Sequence, residues 1–444
     1  MIDKNYNKKF RDFFTKFEKQ YFLLDDESER KFLWDLAVDF VERNRDFVMQ
    51  YPLINYWDDI DKKNHDKLKK DLISSYNNKN INLYFHIPFC KTRCTYCNFH
   101  IIVWDNSKNI MQKIYIEKLK YEVKEFLSYN DNFTIDTIFI WWGTPSYLDD
   151  DILEDFLKFI VDNLWQYMSN KIEYSFEWNP DSITLSKIKI LKKYNVNRVS
   201  IWVQTFDDTI IKNINRTYNS QTVLDVVKNL KDNWFEDINI DMIYGLPWSN
   251  YQNMKSDLDI VKKLDITHVT YYPLYYYDDA TLSKTWNRED NIKQIYNFYD
   301  EVVSELSKKW FNQYWREYFC KGELIHNYQN NYVWNKNLFW FWHSAYSFNW
   351  EVAFYKEQNL QEYIKNKDYL EKIYHYNDDD FDRRLFVLWS RNIIIDKVNI
   401  KNIEIFTKNV NIICKLWLIE EYDNFFKLTP KWLKYQEVVA HMMV

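Results

Sequence analysis

Three of the chain's five cysteines fall within eight residues, directly after a short apolar segment. They are Cys90, Cys94 and Cys97, with the spacing C-x3-C-x2-C, and the preceding residues 81–88 are of types that favour a β-strand. Cysteine thiolates are the usual protein ligands of iron–sulfur clusters, and three of them leave one iron of a four-iron cluster without a protein ligand. A zinc site usually presents paired C-x2-C units with a fourth Cys or His, and the chain has no second such unit. The motif therefore predicts a [4Fe-4S] cluster rather than zinc.

A strand followed by a helix-length segment repeats along the chain from residue 81 onward. This alternation predicts a parallel sheet with right-handed crossover connections. Six units are too few for a complete eight-stranded barrel, so we expect an α/β fold with a curved, partial (β/α)6 barrel. The reactive groups of such sheets lie at the carboxyl ends of the strands. The expected strands are 81–88, 136–142, 173–178, 197–204, 237–243 and 267–275, and the expected helices include 110–127, 151–168, 220–232 and 252–264.

The sequence predicts three further parts around this barrel, which we assign to residues 81–309. Residues 1–80 carry apolar residues at helical spacing and predict a helical N-terminal extension that ends near residues 74–80. We favour a packing role for this extension; the alternative is a cap over the substrate opening. Residues 310–380 form a connecting region, and residues 381–444 predict a small winged-helix-like domain.

The C-terminal pattern is helical first and then strand-like. Helices are expected around 384–388, 400–406 and 412–416, followed by a hairpin of residues 418–421 and 425–428. Thr429 and Pro430 predict the start of a last helix, with Thr429 as N-cap and Pro430 in the first helical position. Modules of this kind often bind DNA, but the net charge of −6 favours a scaffold or substrate-covering role.

Composition restricts the location and the partners of the protein. The net negative charge gives no support for binding nucleic acid. No run of 18 or more apolar residues is present, and the N-terminus lacks the apolar core of a signal peptide, so we expect no integral membrane segment. An odd number of cysteines, three of them in a cluster motif, fits a reducing cytoplasm.

Residues 84–97, which read YFHIPFCKTRCTYC, resemble the signature of the radical S-adenosylmethionine (SAM) superfamily. The residues around the cysteines are characteristic of the oxygen-independent coproporphyrinogen III oxidase family and its heme-chaperone relatives. The resemblance runs from about residue 81 to the C-terminus. It implies that SAM binds the open iron of the cluster, and that an electron from the cluster cleaves SAM to a 5′-deoxyadenosyl radical. The cofactors carry this chemistry, and the protein supplies ligation, positioning and exclusion of water.

The resemblance also implies which strand-end residues contact SAM. Segments 141–145 (WWGTP), 177–180 (EWNP), 200–206 (SIWVQTF) and 239–248 (NIDMIYGLPW) match family motifs that follow strands two to five. Each matching polar residue taken alone has an ordinary structural interpretation, whereas together they are in register with the strand pattern. The residues so implied are Tyr84, Tyr96, Trp142, Gly143, Thr144, Glu177, Gln204, Arg216 and Asp241. A later segment resembles the family's H-N-x-x-Y-W sequence and gives His326, Asn327 and Tyr332 as substrate or heme candidates.

The chain has 3 Gly and 20 Trp, although glycine normally supplies about 7% of residues. A tryptophan stands at several positions where the family pattern has glycine, and an indole at the turn after strand two would fill the SAM amino-acid site. We hypothesise that the source organism reads UGA as glycine and that these tryptophans are glycines in the native protein; the alternative is a degenerate protein that does not bind SAM. The matching positions are Trp141, Trp142, Trp202, Trp248, Trp340 and Trp342, with Trp234, Trp310, Trp350, Trp389, Trp417 and Trp432 by looser match.

The oxidase branch of the family carries a fourth cysteine two residues after the third, and here that position is Phe99. This departure resembles the heme-chaperone (HemW-type) branch, which binds a four-iron cluster, SAM and heme. The resemblance therefore favours a chaperone that receives heme and delivers it to a recipient protein, with a reducing electron-donor protein as a further partner. Two alternatives are open. One is an oxidase that converts two propionates of coproporphyrinogen III to vinyl groups, and the other is a non-catalytic cluster- or heme-binding scaffold.

Overall fold

The structure is a computed structural model of the chain. It describes residues 54, 57–61, 65–103, 109–275, 277, 280–285, 292–333, 336–366, 369–389, 394–397, 400, 410, 411, 414 and 418–436. The chain divides into two compact units. The main unit consists of Ile54–Trp286 and Asn297–Tyr376, and the C-terminal unit contains Asn377–Val444 together with Met1–Leu53 and Asn287–Tyr296.

The secondary-structure elements are named here in chain order. The strands are β1 (Asp58–Asp59), β2 (Asn80–Ile87), β3 (Phe89–Cys90), β4 (Ile102–Val103), β5 (Thr134–Gly143), β6 (Met168–Trp178), β7 (Arg198–Gln204), β8 (Asp237–Tyr244), β9 (His268–Pro273), β10 (Phe311–Gln313), β11 (Tyr318–Lys321), β12 (Leu338–Phe341), β13 (Tyr346–Phe348), β14 (Val352–Lys356), β15 (Leu370–His375), β16 (Ile394–Asp396), β17 (Ile419–Glu421) and β18 (Phe425–Leu428). The helices are α1 (His65–Ser74), α2 (Asn109–Tyr129), α3 (Asp150–Leu164), α4 (Leu185–Lys193), α5 (Asp208–Asn213), α6 (Ser220–Asp232), α7 (Tyr251–Val261), α8 (Ile292–Ser307), α9 (Asn327–Val333), α10 (Leu360–Lys365), α11 (Asp378–Trp389) and α12 (Pro430–Lys434).

One large sheet organises the main unit. Its strand order is β1-β15-β14-β13-β12-β2-β5-β6-β7-β8-β9-β11-β10, and all pairs from β12 to β9 are parallel. The six expected strands are therefore confirmed as β2, β5, β6, β7, β8 and β9. A further strand, β12, pairs in parallel with β2 on its outer side and was not predicted. Among the described strands the sheet is open, with β1 and β10 at its ends.

The parallel strands place different chemistry on their two faces. Side chains alternate across a strand with a period of two. On β2, Ile81, Leu83 and Phe85 are fully buried on one face, whereas Asn82 and His86 lie on the other. The same alternation recurs on β6, β7 and β8, so the interior face of the sheet is buried but polar. The interior residues on those three strands are Glu173, Ser175, Glu177, Arg198, Ser200, Asn239 and Asp241.

The helices start where side-chain caps are available. The side chains of Asp207, Asn219 and Asn250 accept hydrogen bonds from backbone N–H groups in the first turns of α5, α6 and α7. Helix α3 buries Ile152, Phe156 and Ile160 at helical spacing, which gives it an apolar face. Helices α2 to α7 return the chain to the start of the next parallel strand, and the carboxyl ends of these strands meet at one edge of the sheet.

The C-terminal unit confirms part of its predicted pattern. Strands β17 and β18 form the expected antiparallel hairpin, and helix α12 begins at Pro430. The hydroxyl of Thr429 donates to the Leu418 carbonyl oxygen at 3.0 Å and so closes the base of the hairpin. A third strand, β16, pairs with β18 and was not predicted. The winged-helix-like organisation stays a prediction, because the expected helix at 400–406 and most of that at 412–416 lie outside the described residues.

Of the predicted N-terminal helical extension, the structure describes only the last part. Helix α1 ends at Ser74, which matches the expected end of the helical extension, and the earlier helices lie outside the described residues. In the part of the chain that the structure describes, no helix has the length and apolar character needed to cross a membrane.

A buried ion pair joins α2 to β14 behind the sheet. The Nζ atom of Lys356 lies 2.7 Å from an Oε atom of Glu122, and neither side chain is exposed. The same ammonium group donates to the Trp340 carbonyl oxygen at 2.6 Å and lies 4.8 Å from the Phe339 ring centroid. Burial lowers the pKa of Lys356, and the carboxylate of Glu122 opposes that shift. The carboxylate of Glu122 therefore offsets part of the cost of burying the ammonium group of Lys356.

Removing one partner of this pair should destabilise the main unit. Lys356→Met or Glu122→Gln should each lower the free energy of unfolding by about 3–5 kcal/mol, because a buried charge loses its partner. The double variant Lys356→Met/Glu122→Gln should lose less than the sum of the two single losses, because it leaves neither charge buried without its partner. Denaturant unfolding of the three variants measures this coupling, and additive losses would contradict it.

Candidate cofactor site

The three clustered cysteines lie on the loop that follows β2, at the carboxyl edge of the parallel strands. Cys90 ends β3 and is 8% exposed, whereas Cys94 and Cys97 are partly exposed. All three are free thiols. Within the described residues, no three His, Cys, Asp or Glu side chains are close enough to hold a single metal ion. A four-iron cluster takes its thiolates at separate corners of a cube, so its ligands lie further apart than those of one ion.

Burial favours the neutral thiol at two of the three cysteines, Cys90 and Cys97. Burial raises the pKa of Cys90 to about 12 and also raises the pKa of Cys97. The hydroxyl of Thr144 lies 3.4 Å from the Cys90 sulfur and opposes the shift there. Cluster ligands must be thiolates, so loading would release protons from these groups.

Arg216 connects the cysteine loop to the strand ends. Its guanidinium donates to the Tyr96 hydroxyl at 2.9 Å and to the Asn179 side-chain oxygen at 2.8 Å. Arg216 is 9% exposed, and its positive charge lowers the pKa of both Cys90 and Cys97 against the effect of burial. The arginine therefore holds the loop in place and offsets negative charge on it.

The turn after β5 approaches the end of β2 very closely. Gly143 has φ +59°, and a Cβ atom on it would lie 2.0 Å from the Ile87 carbonyl oxygen. Only glycine fits at that distance. Thr144 follows it and is 2% exposed. The turn thus brings Thr144 to Cys90 and sets the distance between the cysteine loop and the second strand.

Two buried carboxyl groups share the interior face below these turns. Asp241 accepts hydrogen bonds from the Ser200 hydroxyl at 2.8 Å and the Asn239 amide at 2.9 Å. Burial raises the pKa of Glu177 well above its usual value, and the charge of Asp241 raises it further. Burial also raises the pKa of Asp241. These two groups can accept or hold a proton in a site closed to solvent.

Gln204 stands at the end of β7 in an unusual backbone conformation. It is 5% exposed and has φ +63°, just after a register shift in the pairing with β8. The following loop is fixed by Asp257 on α7, which accepts from the Phe206 N–H and from the Thr205 hydroxyl, each at 2.8 Å. Asp257 therefore holds the loop that positions Gln204.

A second group of polar residues lies deeper in the interior, near the starts of the strands. Glu173 accepts from the backbone N–H groups of Asn327 at 2.6 Å and Tyr328 at 3.1 Å, which anchors the start of α9. The Nε2 atom of His326 lies 3.3 Å from Glu173, and burial lowers the pKa of His326 well below its usual value. Asn327 is exposed, and Tyr332 is buried against the Phe348 ring. The three heme candidates therefore do not converge on one site.

A small pocket lies between these two polar groups and is lined by Glu177, Asp241 and His326. Glu177 and Asp241 line it together with residues that the motif comparison missed. The alternation of polar positions could have identified those on β7, β8 and β9, because every second residue of a parallel strand faces the interior, whereas Tyr318 lies on antiparallel β11 and Gln329 on α9. The missed lining residues include Arg198, Ser200, Asn239, Tyr272, Tyr318 and Gln329.

Parallel strands with a three-cysteine loop at their carboxyl edge define a class of protein, the radical SAM proteins. The family model of the radical SAM superfamily matches residues 84–261, which include all three cysteines. Coproporphyrinogen III oxidase (HemN) from Escherichia coli, a radical SAM enzyme, superposes with a TM-score of 0.78 over 89% of this chain and 96% of that chain. The two sequences are 18% identical, so this likeness shows the fold.

Two curated proteins with similar sequences indicate a subgroup of the radical SAM proteins. The heme chaperone HemW of Buchnera aphidicola subsp. Acyrthosiphon pisum is 32% identical over 259 residues, which are 57% of this chain and 66% of the relative. The heme chaperone HemW of Lactococcus lactis is 34% identical over 238 residues, 52% of this chain and 60% of the relative. The matched regions thus span less than two thirds of either relative. Residues 84–261 of this chain thus match the radical SAM superfamily, and the chain is similar to the heme-chaperone relatives of the coproporphyrinogen III oxidase-like family.

The family implies a [4Fe-4S] cluster and SAM, and the residues present fit the two differently. Three thiols on one loop beside Arg216 suit the cluster. The space at the strand ends is filled by indole rings, as expected for tryptophan at these positions. The Trp142 ring stacks on Phe99 with centroids 4.4 Å apart, and Trp342 stacks on His86 at 3.8 Å. Trp340 lies 4.6 Å from Tyr84, so SAM does not fit among the side chains present.

The buried carboxyl of Asp257 should make stability depend on pH. Burial raises its pKa to about 7, whereas the unfolded value is near 3.9. The folded state binds the proton more tightly, so this stabilisation is fully present below about pH 4 and is lost as the pH rises through 7. Asp257→Asn keeps an acceptor for the Phe206 N–H and should remove a pH dependence of up to about 4 kcal/mol.

Denaturant midpoints measured between pH 4 and pH 8 test this expectation. The control is Asp259→Asn, an exposed position on the same helix. The Asp257 variant should gain stability relative to the unsubstituted chain at pH 8 and not at pH 4. Equal pH profiles for the two variants would show that Asp257 does not hold its proton.

Proposed function

We propose that this protein is a heme chaperone that binds heme beside a [4Fe-4S] cluster and passes it to a recipient protein. The relatives at 32% and 34% identity are named heme chaperones. The observation that carries the proposal is Phe99, which occupies the position of the oxidase branch's fourth cysteine and packs its ring on Trp142. No thiol is available at that position. We infer a cytoplasmic location, because the cysteines are free and their thiols must stay reduced to bind iron.

The cluster would be held by the thiolates of Cys90, Cys94 and Cys97, with Arg216 offsetting their negative charge. When bound, it supplies an iron with an open coordination position. The residues of the chain then orient the loop: Thr144 contacts the Cys90 sulfur, and Tyr96 receives a hydrogen bond from Arg216. Supply of electrons to this edge requires a reducing partner protein.

Imidazole is a common protein ligand of heme iron, and a histidine that binds heme must be within reach of the iron. Among the described histidines, only His100 and His375 are exposed, whereas His326 is 3% exposed and enclosed behind α9. His100 follows the cysteine loop, and its ring lies 6.4 Å from that of His343. We therefore propose His100 as a heme ligand at the cluster edge. Binding at His326, the sequence-based candidate, would require the start of α9 to open.

A second function is favoured by one observation. The indole rings that fill the strand ends leave no room for SAM, as in a scaffold that binds a cluster or heme and does not react. An oxidase would need that space. Anaerobic turnover of coproporphyrinogen III would establish the oxidase, and stoichiometric heme binding with transfer to an apoprotein and without turnover would establish the chaperone. Binding without transfer would leave the scaffold.

Cluster loading should depend on the motif cysteines and not on the other buried thiol. After anaerobic reconstitution with iron and sulfide, Cys94→Ser should lose most of its bound iron, because a four-iron cluster cannot be held firmly by two thiolates. Cys320→Ser is the control, since Cys320 is a free, buried cysteine on β11. Iron and sulfide analysis with electron paramagnetic resonance measures loading. Equal iron in both variants would contradict the assignment.

Heme affinity should depend on His100. His100→Ala should weaken heme binding by about tenfold or more, equivalent to roughly 1.4 kcal/mol, with a change in the heme absorption spectrum. His375→Ala, which removes the second imidazole that is exposed among the described residues, should bind heme as the unsubstituted chain does. Spectroscopic titration measures both. If His326→Ala weakens binding while remaining folded and His100→Ala does not, the sequence-based candidate is the ligand.

A further inference from the structure

Four tryptophans in this structure have a backbone conformation that tryptophan strongly disfavours. Their φ angles lie in the left-handed region, where a Cβ atom meets the backbone and bulky side chains are rare. The chain's three glycines have φ values of the same sign, from +59° to +78°. The four tryptophans are Trp142 (φ +56°), Trp234 (+63°), Trp248 (+66°) and Trp310 (+66°).

Burial does not account for this conformation at three of the four positions. Trp234 is 82% exposed, Trp310 is 84% exposed and Trp248 is 49% exposed. An exposed indole gains little from packing that could offset the cost of its left-handed backbone. The positive φ angles are therefore required by the local course of the backbone and not by packing of the indole rings.

Helix ends in the same chain provide an internal comparison. Helix α6 ends in a Schellman motif: the Trp234 N–H donates to the Lys231 carbonyl oxygen, and the Phe235 N–H donates to that of Leu230. Helices α4 and α5 end with the same pair of bonds, but there the left-handed residues are Asn195 and Asn215. Glycine is the usual residue at this position and asparagine the next.

The residues around Trp248 form a tight turn that requires a particular residue type at its third position. Ser249 donates its N–H to the Leu246 carbonyl oxygen at 3.1 Å, and Pro247 is the second residue of the four. With proline second and a positive φ at the third position, this is a type II turn, which calls for glycine where Trp248 stands.

We propose that the native protein carries glycine at positions 142, 234, 248 and 310, because its organism decodes the corresponding codon as glycine. The same decoding would place glycine at 141, 202, 340 and 342. Positions 141, 202 and 340 lie within strands β5, β7 and β12, and position 342 follows β12. Without their rings, Tyr84 and His86 lose the indoles that now contact them, so space opens beside the cysteine loop for the proposed function. Trp389 and Trp432 lie within helices, where the backbone does not call for glycine.

Mass spectrometry on protein from the native source tests the proposal directly. One tryptic peptide, 232–255, contains both position 234 and position 248. Its mass should be lower by twice the difference between a tryptophan and a glycine residue. Tryptophan at both positions overturns the proposal. This result is independent of heme or cluster binding. The glycines can therefore be confirmed while the proposed function fails, and the proposed function can be confirmed while the glycines are not found.

Variants of the tryptophan-containing chain give a second measurement. Trp234→Gly should raise the folding equilibrium constant by about 5–30-fold, because it removes a left-handed penalty. Trp165→Gly is the matched control: Trp165 is also exposed and also ends a helix, but its φ is −51°. That change should lower stability or leave it unaltered.

Trp234→Ala separates the backbone effect from loss of the indole ring. It removes the ring but keeps a Cβ atom, so it should be less stable than Trp234→Gly. Equal stability of the glycine and alanine variants, or a loss in Trp234→Gly equal to that in Trp165→Gly, would contradict the proposal.

Discussion

The alternation of side chains along the parallel strands is the constraint on which the main unit depends. One face of each strand is apolar and packs under the helices, so the other face must enclose whatever the sequence places there. In this protein that second face carries carboxylates, amides and an arginine that are almost entirely buried. Buried polar groups are costly unless they are hydrogen-bonded. The bonds from Ser200 and Asn239 to Asp241, and those from α9 to Glu173, meet that cost and fix the positions of the strands.

The site at the carboxyl edge inherits its geometry from this interior. The cysteine loop is held from one side by the close approach of Gly143 to Ile87, and from the other by Arg216. The carboxyl groups of Glu177 and Asp241 lie one layer below. Chemistry that requires a dry environment is therefore placed at the edge, and the polar groups that could relay protons lie beneath it.

The sequence predicted the parallel strands well because each is a continuous buried segment between clear helix signals. It missed β12 because a short segment of four residues, Leu338–Phe341, has no periodicity of its own and pairs with a strand more than 250 residues earlier. Pairing of β16 with β18 is similarly non-local. Motif matching named Glu177 and Asp241 but not Arg198 or Tyr318, since a cavity lining depends on which elements meet. The role of His326 beside Glu173 could not be read from its motif, because only the fold shows that the ring is enclosed.

The left-handed residues at the helix ends also bear on how genetic information is read. A positive φ angle carries a steric cost for a residue with a Cβ atom, so it indicates which residues a position tolerates. In this chain the positions that disfavour a side chain form a consistent set, and one amino acid fills several of them. Backbone conformation can therefore serve as a check on a translation table. The same test extends to any other chain from the same genome in which exposed indoles gather at helix ends and tight turns.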